Sequence, residues 1–271
     1  MDNRFILNSE KIRGDIMLNK EFPILEFDKV SDNIIEPSKF IEKIDMSERV
    51  VMCFYSEVIE KLLNEGKLKE IKVLYSQIGK HPIYELDYKG EKVAVFHPGV
   101  GAALGGALME EVIALGGKKF ISCGSGGVLN KNIVVGHIIV PNSAVRDEGT
   151  SYHYVEPSRE ISVNKKAIRA IESVLKAHKC SYLLGKTWST DSFYRETKDK
   201  MQLRKDEGCL VVEMECSAFC AIAEYRNVVF GQMIHSGDDI SGDEWNSRKE
   251  VDRNFIRETL FWFSVEASME L

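Results

Sequence analysis

From residue 50 onward, the chain alternates short apolar runs with longer stretches whose apolar residues recur every three or four positions. The short runs are typical of buried strands, and the longer stretches are typical of helices that bury one face. Strands are predicted at residues 50–54, 71–76, 83–88, 91–96, 119–123, 137–145, 181–189, 210–213 and 228–234. Helices are predicted at residues 57–68, 101–115, 163–178, 215–225 and 248–267. This alternation predicts an α/β fold, a three-layer sandwich around a mostly parallel, mixed central sheet.

Residues 1–48 differ from the rest of the chain. They are polar, contain Pro23 and Pro37, and show no long period. We interpret them as an N-terminal extension that drapes over the fold or contacts a neighbouring subunit, with a partly disordered tail as the alternative. Residues 49–271 then form the main domain. Within it, Lys89-Gly90 separates two predicted strands and predicts a hairpin turn.

Composition narrows the classes of function. The 271 residues are 44% hydrophobic and 29% charged, which is an ordinary globular composition with enough apolar residues for a full core. The formal net charge of −6 argues against nucleic acid as a partner, because such binding needs a basic surface. No apolar run of membrane-spanning length lacks a glycine or a charge, and the N-terminus lacks the apolar stretch of a signal peptide. We therefore expect a cytoplasmic protein without a membrane partner.

The cysteines show no C-x-x-C pair and no Cys/His spacing typical of a metal site. We interpret them as reduced thiols, mostly small core residues, and expect no bound metal. They are Cys53, Cys123, Cys180, Cys209, Cys216 and Cys220.

The candidate chemistry follows the predicted strands. In open sheets of parallel strands, ligands bind at the carboxyl ends of the strands. One such end carries Gly124-Ser125-Gly126-Gly127, which we predict to be a turn. Its N–H groups and hydroxyl can bind an anion or a sugar oxygen, although a plain tight turn has the same composition.

Three further strand ends carry side chains suited to a sugar or a flat base. Glu215 can accept hydrogen bonds from a vicinal diol while Met214 packs beneath a sugar ring, or Glu215 caps the following helix. Phe193 can stack on a base, although a lone aromatic is more often part of the core. Asp238 and Asp239 can hold one proton between them at neutral pH, which suits a general acid, or they form a solvated turn.

Together and in this order, these segments resemble the nucleoside phosphorylase/nucleosidase superfamily. That family includes uridine phosphorylase, the hexameric purine nucleoside phosphorylases and methylthioadenosine/adenosylhomocysteine nucleosidase. The resemblance covers residues 49–271 and implies a catalytic domain that breaks the bond between ribose and base through an oxocarbenium-like transition state. The matching segments are PGVGAALGGALMEEVIALG (98–116), FISCGSGG (120–127), RDEGTSYHY (146–154), STDSFY (189–194), VVEMECSA (211–218) and SGDDISG (236–242).

For the sugar, the resemblance implies that Met214 and Glu215 hold the ribose, with Glu215 binding its hydroxyls. Ser125, with the neighbouring Gly126, matches the position that touches the nucleophile and the sugar. In several relatives a histidine of a neighbouring subunit completes the site. His153 is the best local candidate for that role, and an ordinary loop histidine is the alternative.

For the base, the resemblance implies that Phe193 stacks on the ring and that Asp238 protonates or hydrogen-bonds the departing purine. Asp239 is the fallback for this acid. Uracil-specific members place Gln and Arg shortly after the stacking aromatic, where this chain has Thr197 and Asp199. A purine-type base is therefore expected.

The acceptor is where the chain departs from the phosphorylases. Two positions at which they carry phosphate-binding arginines are Ser122 and Glu57 here. The loss of two guanidinium groups removes strong phosphate ligands, and a carboxylate at position 57 would repel the dianion. The nucleosidases carry a glutamate there that activates water, so we favour water as acceptor with Glu57 as general base. A glutamate at the start of a helix is also ordinary helix chemistry.

Phosphorolysis is the alternative, with phosphate as a co-substrate. Its ligands would be Ser125, Arg146 and the N–H groups of Gly99 and Gly101, and a different alignment adds Lys39 as a cation. In either case no cofactor is expected.

Two other classes of function stay open. The segment GVGAALG resembles a dinucleotide-binding turn, but its spacing is G-x-G-x-x-x-G and no acidic residue ends the next strand. A non-catalytic nucleoside sensor is the third possibility, against which the presence of both Glu215 and Asp238 argues. From the resemblance we also expect a homo-oligomer, either a dimer or dimers assembled into a hexamer.

Overall fold

The computed structural model describes residues 20–29 and 33–271, and these residues build a mixed sheet of ten strands. Short apolar runs form the central strands, and a polar hairpin forms one edge. The strands are β1 (Arg49–Cys53), β2 (Leu68–Ser76), β3 (Gly79–Tyr88), β4 (Glu91–Phe96), β5 (Lys119–Val128), β6 (Ile138–Asp147), β7 (Glu160–Ser162), β8 (Tyr182–Thr190), β9 (Cys209–Glu213) and β10 (Val229–Asp239).

Helices cover both faces of the sheet. They are α1 (Pro37–Phe40), α2 (Ser56–Asn64), α3 (Ala102–Leu115), α4 (Lys165–Ala177), α5 (Lys198–Asp206), α6 (Cys216–Tyr225) and α7 (Asn254–Met269). Successive residues of a strand point to opposite faces, and β1 shows the consequence. Val51 packs into a core with α2, α4 and α7, whereas Val50 packs into a core with α3 and α6. The predicted three-layer α/β sandwich is therefore confirmed.

The sheet is more closed than an open parallel sheet. Its order is β10-β6-β8-β9-β5-β1-β4-β3-β2, and β10 also pairs with β5. Strands β5, β10, β6, β8 and β9 thus form a ring. Pairing is parallel for β1–β4, β1–β5, β5–β10, β6–β8 and β8–β9, and antiparallel for β5–β9 and β6–β10.

The predicted turn at Gly124-Ser125-Gly126-Gly127 is wrong, because these residues continue β5. The strand pairs with β10 along one edge and reaches β9 on the other edge at Gly127 and Val128, so its backbone groups are bonded within the sheet. The same ring closure extends β10, so that Asp238 and Asp239 lie within this strand rather than after it.

Most element boundaries shift by a few residues from the predicted ones. Helix α2 ends at Asn64, and Gly66, with φ +68°, turns the chain into β2. The predicted hairpin at Lys89-Gly90 is confirmed, with both residues at positive φ. The last helix begins at Asn254, and neither α5 nor the short β7 was predicted. The cysteines are free thiols, buried except for the half-buried Cys180.

The described part of the N-terminal segment lies against α3 and α6. Glu36 forms an ion pair with Arg226 at 2.9 Å, and Asn33 donates a hydrogen bond to the Tyr225 hydroxyl at 3.0 Å. The backbone N–H of Ile44 donates to the carbonyl of Leu115, the last residue of α3, at 3.2 Å. These contacts lie on the α3–α6 face of the sandwich.

Within the ring, neighbouring atoms approach the backbone closely at Gly126. A Cβ atom at this position would lie 2.5 Å from the Val212 carbonyl oxygen and 2.5 Å from the Val211 Cγ2. We expect Gly126→Ala to lower the free energy of unfolding by about 1–3 kcal/mol, because the strands must separate to admit the methyl group. Thermal denaturation measures the effect. The neighbouring Ser125→Ala is the control and should melt like the unmodified protein; equal melting of both variants would contradict the close approach.

Candidate active site

A cleft of about 730 Å3 opens at the ends of β5, β9 and β10. Its other walls are the 3-10 turn Phe193–Arg195 with the start of α5, and the loop that follows β10. The lining residues are Ser125, Gly126, Gly127, Phe193, Tyr194, Glu196, Thr197, Lys198, Met201, Val212, Glu213, Met214, Asp238, Ile240, Gly242, Asp243, Glu244 and Trp245.

The cleft brings together five residues that the sequence marked for a nucleoside. Ser125 and Gly126 come from β5, Phe193 from the 3-10 turn, Met214 from the end of β9, and Asp238 from β10. The Phe193 ring is 51% exposed, so a ligand can reach its face. The cleft therefore combines an aromatic face, a thioether, a hydroxyl and a carboxyl group.

Asp238 is held by an aromatic side chain that the sequence did not mark. Trp245 donates an indole N–H hydrogen bond to Asp238 Oδ2 at 2.6 Å, and its ring is 69% exposed at the cleft mouth. Trp245 comes from an irregular loop seven residues after Asp238, and no periodic pattern marks such a position. The loop therefore supplies both a wall of the cleft and a donor to its carboxylate.

Asp239, the fallback acid, anchors that loop and does not line the cleft. Arg248 donates to its Oδ2 at 2.7 Å, and the Ser241 hydroxyl donates to its Oδ1 at 2.6 Å. Burial opposes ionisation, but these hydrogen bonds and the charge of Arg248 outweigh it and hold the pKa of Asp239 below its usual value. A carboxylate held ionised in this way suits a structural role better than that of a proton donor.

Glu196, a carboxyl group that the sequence did not mark, also lines the cleft. Burial, and then the charge of Asp238, raise the pKa of Glu196 to about 7. The available signal in the sequence was its place directly after the aromatic turn that contains Phe193. The cation that lines the cleft, Lys198, is paired with Asp243 at 2.8 Å.

Two buried glutamates lie beneath Met214. Glu213 accepts hydrogen bonds from the N–H groups of Glu215 and Cys216, at 2.8 and 2.7 Å, and from the Ser189 hydroxyl at 2.6 Å. Glu213, and not Glu215, therefore caps the N-terminus of α6. Of this motif, Val212, Glu213 and Met214 line the cleft, whereas Glu215 does not.

The carboxylate of Glu215 connects the start of α3 with the end of β9. It accepts from the N–H of Gly101 at 2.6 Å and from the N–H of Met214 at 3.2 Å. Burial and then the charge of Glu213 raise the pKa of Glu215 to about 8. The predicted residues Gly101 and Glu215 thus meet, and the diol ligand that we predicted for Glu215 would compete with Gly101 for the carboxylate.

Around the predicted acceptor positions, the structure shows few cationic groups. Gly99 has φ +77°, and its N–H donates to His97 Nδ1 at 3.0 Å. Burial lowers the pKa of His97, so this imidazole is neutral at neutral pH. Glu57 lies outside the cleft lining, on the exposed start of α2, and forms an ion pair with Arg257 at 2.5 Å.

Arg146 and His153 do not line the cleft of their own subunit. For Arg146 this contrasts with the predicted phosphate contact, whereas the role predicted for His153, in the site of a neighbouring subunit, stays a prediction. The guanidinium of Arg146 is buried and donates to Ser151 at 2.9 Å, to Ser158 at 2.8 Å and to the carbonyl of Glu156 at 2.7 Å. Its donors hold the loop after β6, so they are not free for phosphate. His153 lines another cavity, between the N-terminal segment and α3.

Ser122, the other replaced arginine position, is fully buried, and its hydroxyl has no hydrogen-bond partner within the described chain. No three His, Cys, Asp or Glu side chains in residues 20–29 and 33–271 come together as a metal site would require. None of the helices in these residues combines the length and apolar character needed to cross a bilayer.

Comparison with known proteins adds the family. The Phosphorylase superfamily matches residues 48–259. A DeoD-type purine nucleoside phosphorylase of Clostridium novyi is 28% identical over 217 residues, which cover 78% of this chain and 88% of the relative. Uridine phosphorylase of Vibrio fischeri has the same fold, with a TM-score of 0.73 and 21% identity over 89% of this chain and all of that chain (100%).

A further solved structure with the same fold is named a nucleosidase. AMP nucleosidase of Bacteroides thetaiotaomicron superposes with a TM-score of 0.65 and 20% identity, covering 82% of this chain and 87% of that chain. The fold therefore agrees with the family match, which covers residues 48–259. The protein belongs to the phosphorylase superfamily and is an enzyme of that family.

Proposed function

We propose that this enzyme cleaves the N-glycosidic bond of a purine-type nucleoside and transfers the ribose to water. The observation that carries the proposal is the cleft in which Phe193, Met214 and Asp238 converge. The aromatic face suits a flat base, the thioether suits the underside of a sugar, and the carboxyl group suits a ring nitrogen of the base. This arrangement matches the roles that the family resemblance implies for the same residues.

In the proposed reaction, the bond between C1′ and the base nitrogen breaks with its electron pair going to the base. A proton from Asp238 reaches the base and neutralises the leaving group. The sugar gains oxocarbenium character, and a water oxygen then bonds to C1′ and gives a proton to a general base, for which Glu57 is the predicted residue. Trp245, which hydrogen-bonds Asp238, holds this carboxyl group in position.

The charges in the cleft support water as the acceptor. Carboxyl groups line it at Glu196, Glu213, Asp238 and Glu244, while Lys198 is already paired with Asp243. A phosphate dianion needs cationic or dipolar ligands to leave bulk water. Neutral water carries no such requirement, so the acidic lining favours hydrolysis over phosphorolysis.

Phosphorolysis is the second candidate, and one contact favours it. Glu57 stands at the position where the phosphorylases carry a phosphate-binding arginine, and Arg257 lies beside Glu57. Arg257 also lies over the Tyr55 ring, 5.6 Å from its centroid. If Glu57 turned away, this guanidinium would replace the missing cation. The relatives named phosphorylases agree with this candidate.

We also propose a homo-oligomer whose neighbouring subunit covers the cleft mouth. The aromatic side chains there are exposed, at 88% for Tyr194 and 69% for Trp245. Such exposure is typical of residues that a ligand or a partner chain covers.

Replacement of the acid tests the base side of the site. We expect Asp238→Asn to lower the rate of base release by about 10²–10⁴-fold, because the amide cannot supply the proton. Base release from a nucleoside panel, followed by chromatography, measures the rate, and thermal denaturation checks the fold. Asp243→Asn, at the exposed mouth of the cleft, is the matched control and should retain activity. Near-normal turnover of Asp238→Asn would refute the assignment.

The ribose side is tested by pairing a substrate change with a residue change. If Glu215 binds the 2′- and 3′-hydroxyls, the ratio of kcat/KM for a riboside to that for its 2′,3′-dideoxy analogue should fall about tenfold or more in Glu215→Ala. The ratio cancels the intrinsic reactivity of the two sugars. Glu215→Gln, which keeps an acceptor for Gly101, separates this effect from a loss of folding. An unchanged ratio in both variants would remove Glu215 from the diol site.

The acceptor is tested by the sugar product. In phosphate-free buffer we expect nucleoside cleavage to proceed and to yield free ribose, because the lining offers water a site and repels the dianion. Mass spectrometry of the sugar distinguishes ribose from ribose 1-phosphate. A strict requirement for phosphate would establish phosphorolysis instead.

Glu57 is examined in the same assay. Because Glu57 is the predicted general base, the variant Glu57→Gln should no longer hydrolyse the nucleoside. The control Glu60→Gln, on the exposed face of the same helix, should remain active. If both variants remain active, Glu57 serves only in its ion pair with Arg257.

A further inference from the structure

Two walls of the cleft carry aromatic rings, and one ion pair joins these walls at the mouth. The 3-10 turn and the start of α5 contribute Phe193 and Lys198, and the loop after β10 contributes Asp243 and Trp245. The Lys198 ammonium lies 2.8 Å from Oδ1 of Asp243. Phe193 and Trp245 therefore border the same opening from segments that are distant in the sequence.

The loop that carries Trp245 is anchored at both ends. The N–H of Asp239 donates to the carbonyl of Asn246 at 2.8 Å, and the N–H of Asn246 donates to the carbonyl of Asp239 at 3.0 Å. Arg248 donates to the Asp239 carboxylate at 2.7 Å and to the carbonyl of Ile133 at 2.9 Å. Because Trp245 directly precedes Asn246, these bonds hold its backbone next to β10.

The indole of Trp245 is fixed at its polar end, while most of its surface is exposed. Its N–H donates to Oδ2 of Asp238 at 2.6 Å. This carboxyl group lies over Gly127, where a Cβ atom would be 3.4 Å from both of its oxygens. An indole has no other hydrogen-bonding group. The accessible part of Trp245, which is 69% exposed, is therefore the ring itself.

An exposed indole whose N–H is already bonded suits a flat ligand. Burial of a tryptophan ring contributes strongly to binding, and every nucleic-acid base has a π face that can stack on such a ring. Phe193 supplies a second accessible ring in the same cleft, and its centroid lies 4.1 Å from that of Tyr194. The cleft thus offers aromatic surface to a base from two independent segments.

We propose that Trp245 is a substrate-binding residue whose ring forms a second aromatic wall for the base, and that its hydrogen bond to Asp238 holds the ring in place. This inference rests on the proposed function, to which it adds a binding residue. It assigns the Trp245 ring to the ligand, whereas Tyr194, 88% exposed, is left for the neighbouring subunit that we propose at the mouth. Substrate and released base share the contact, so it acts on binding rather than on bond cleavage.

The test compares Trp245→Leu with Trp245→Phe. Both variants lose the donor to Asp238, but only Trp245→Phe keeps an aromatic ring. Isothermal titration of the intact protein with adenine, hypoxanthine and uracil identifies the free base that binds most tightly. For that base, we expect the Kd to rise about tenfold in Trp245→Leu and to stay within about threefold in Trp245→Phe. Phe255→Leu, at an exposed aromatic residue of α7 outside the cleft lining, is the control and should bind like the unmodified protein.

Three outcomes of this titration would overturn the proposal. Unchanged binding in Trp245→Leu would show that the ring does not contact the base. Equal losses in the two variants would assign the effect to the hydrogen bond with Asp238. Failure of the unmodified protein to bind any of the three bases would remove the base site. Thermal denaturation of each variant checks that a loss of binding is not a loss of folding.

Tryptophan fluorescence gives a readout that a purely structural role would not move. Of the three tryptophans, Trp188 is buried and Trp262 is half-buried on α7, so Trp245 is the one that lines the cleft. A base that stacks on Trp245 should change its emission in proportion to occupancy. This change should disappear in Trp245→Phe, although that variant still binds the base. Persistence of the full change in Trp245→Phe would contradict the contact.

Turnover of a nucleoside separates this inference from the proposed function. The two variants should share one kcat, because both lack the donor to Asp238, and Trp245→Leu should have the higher KM by about tenfold. If nucleosides are cleaved but the two variants have the same KM, the proposed reaction stands and the role of the Trp245 ring fails. If no nucleoside is cleaved but binding of a free base depends on the ring, the reaction fails and the aromatic wall stands.

Discussion

The buried carboxylate of Glu213 is the constraint on which the site depends. It accepts from the N–H groups of Glu215 and Cys216 and from the hydroxyl of Ser189, and so joins β9, the start of α6 and β8. Burial raises its pKa, while these donors favour the ionised form. A buried carboxylate that lost these donors would be costly, so the strand-to-helix junction has little freedom. This junction places Met214 in the cleft and Glu215 beneath it.

The second organising feature is the excess of carboxyl groups around the cleft. One consequence is that burial and the charge of Asp238 raise the pKa of Glu196 to about 7. The same excess opposes the binding of a phosphate dianion. In the proposed hydrolysis, the same acidic lining would supply a proton to the leaving base and oppose an anionic acceptor. Trp245 adds a neutral donor that stabilises Asp238 without a cation.

Long-range pairing explains where prediction from the sequence failed. The residues Gly124-Ser125-Gly126-Gly127 have the composition of a turn, but pairing with β9 and β10 makes them a strand. Arg146 has the charge of a phosphate ligand, yet the loop after β6 folds back and occupies its donors. The partners of β5 are remote in the sequence, and those of Arg146 lie five and twelve residues away in an irregular loop, so local propensity carries no information about either.

The sequence by itself determined the layered α/β fold and the residues Ser125, Phe193, Met214 and Asp238 of the cleft, because apolar periodicity and chemistry at strand ends are local properties. Only the tertiary structure decided that the sheet closes into a ring, that Glu213 rather than Glu215 caps α6, and that Glu196 lines the same cleft as Asp238. Each of these results depends on which segments meet in space. Ring closure comes from hydrogen bonds between distant segments. Glu213 lies only two and three residues from the N–H groups that it caps, but burial and the hydroxyl of the distant Ser189 hold its carboxyl group there.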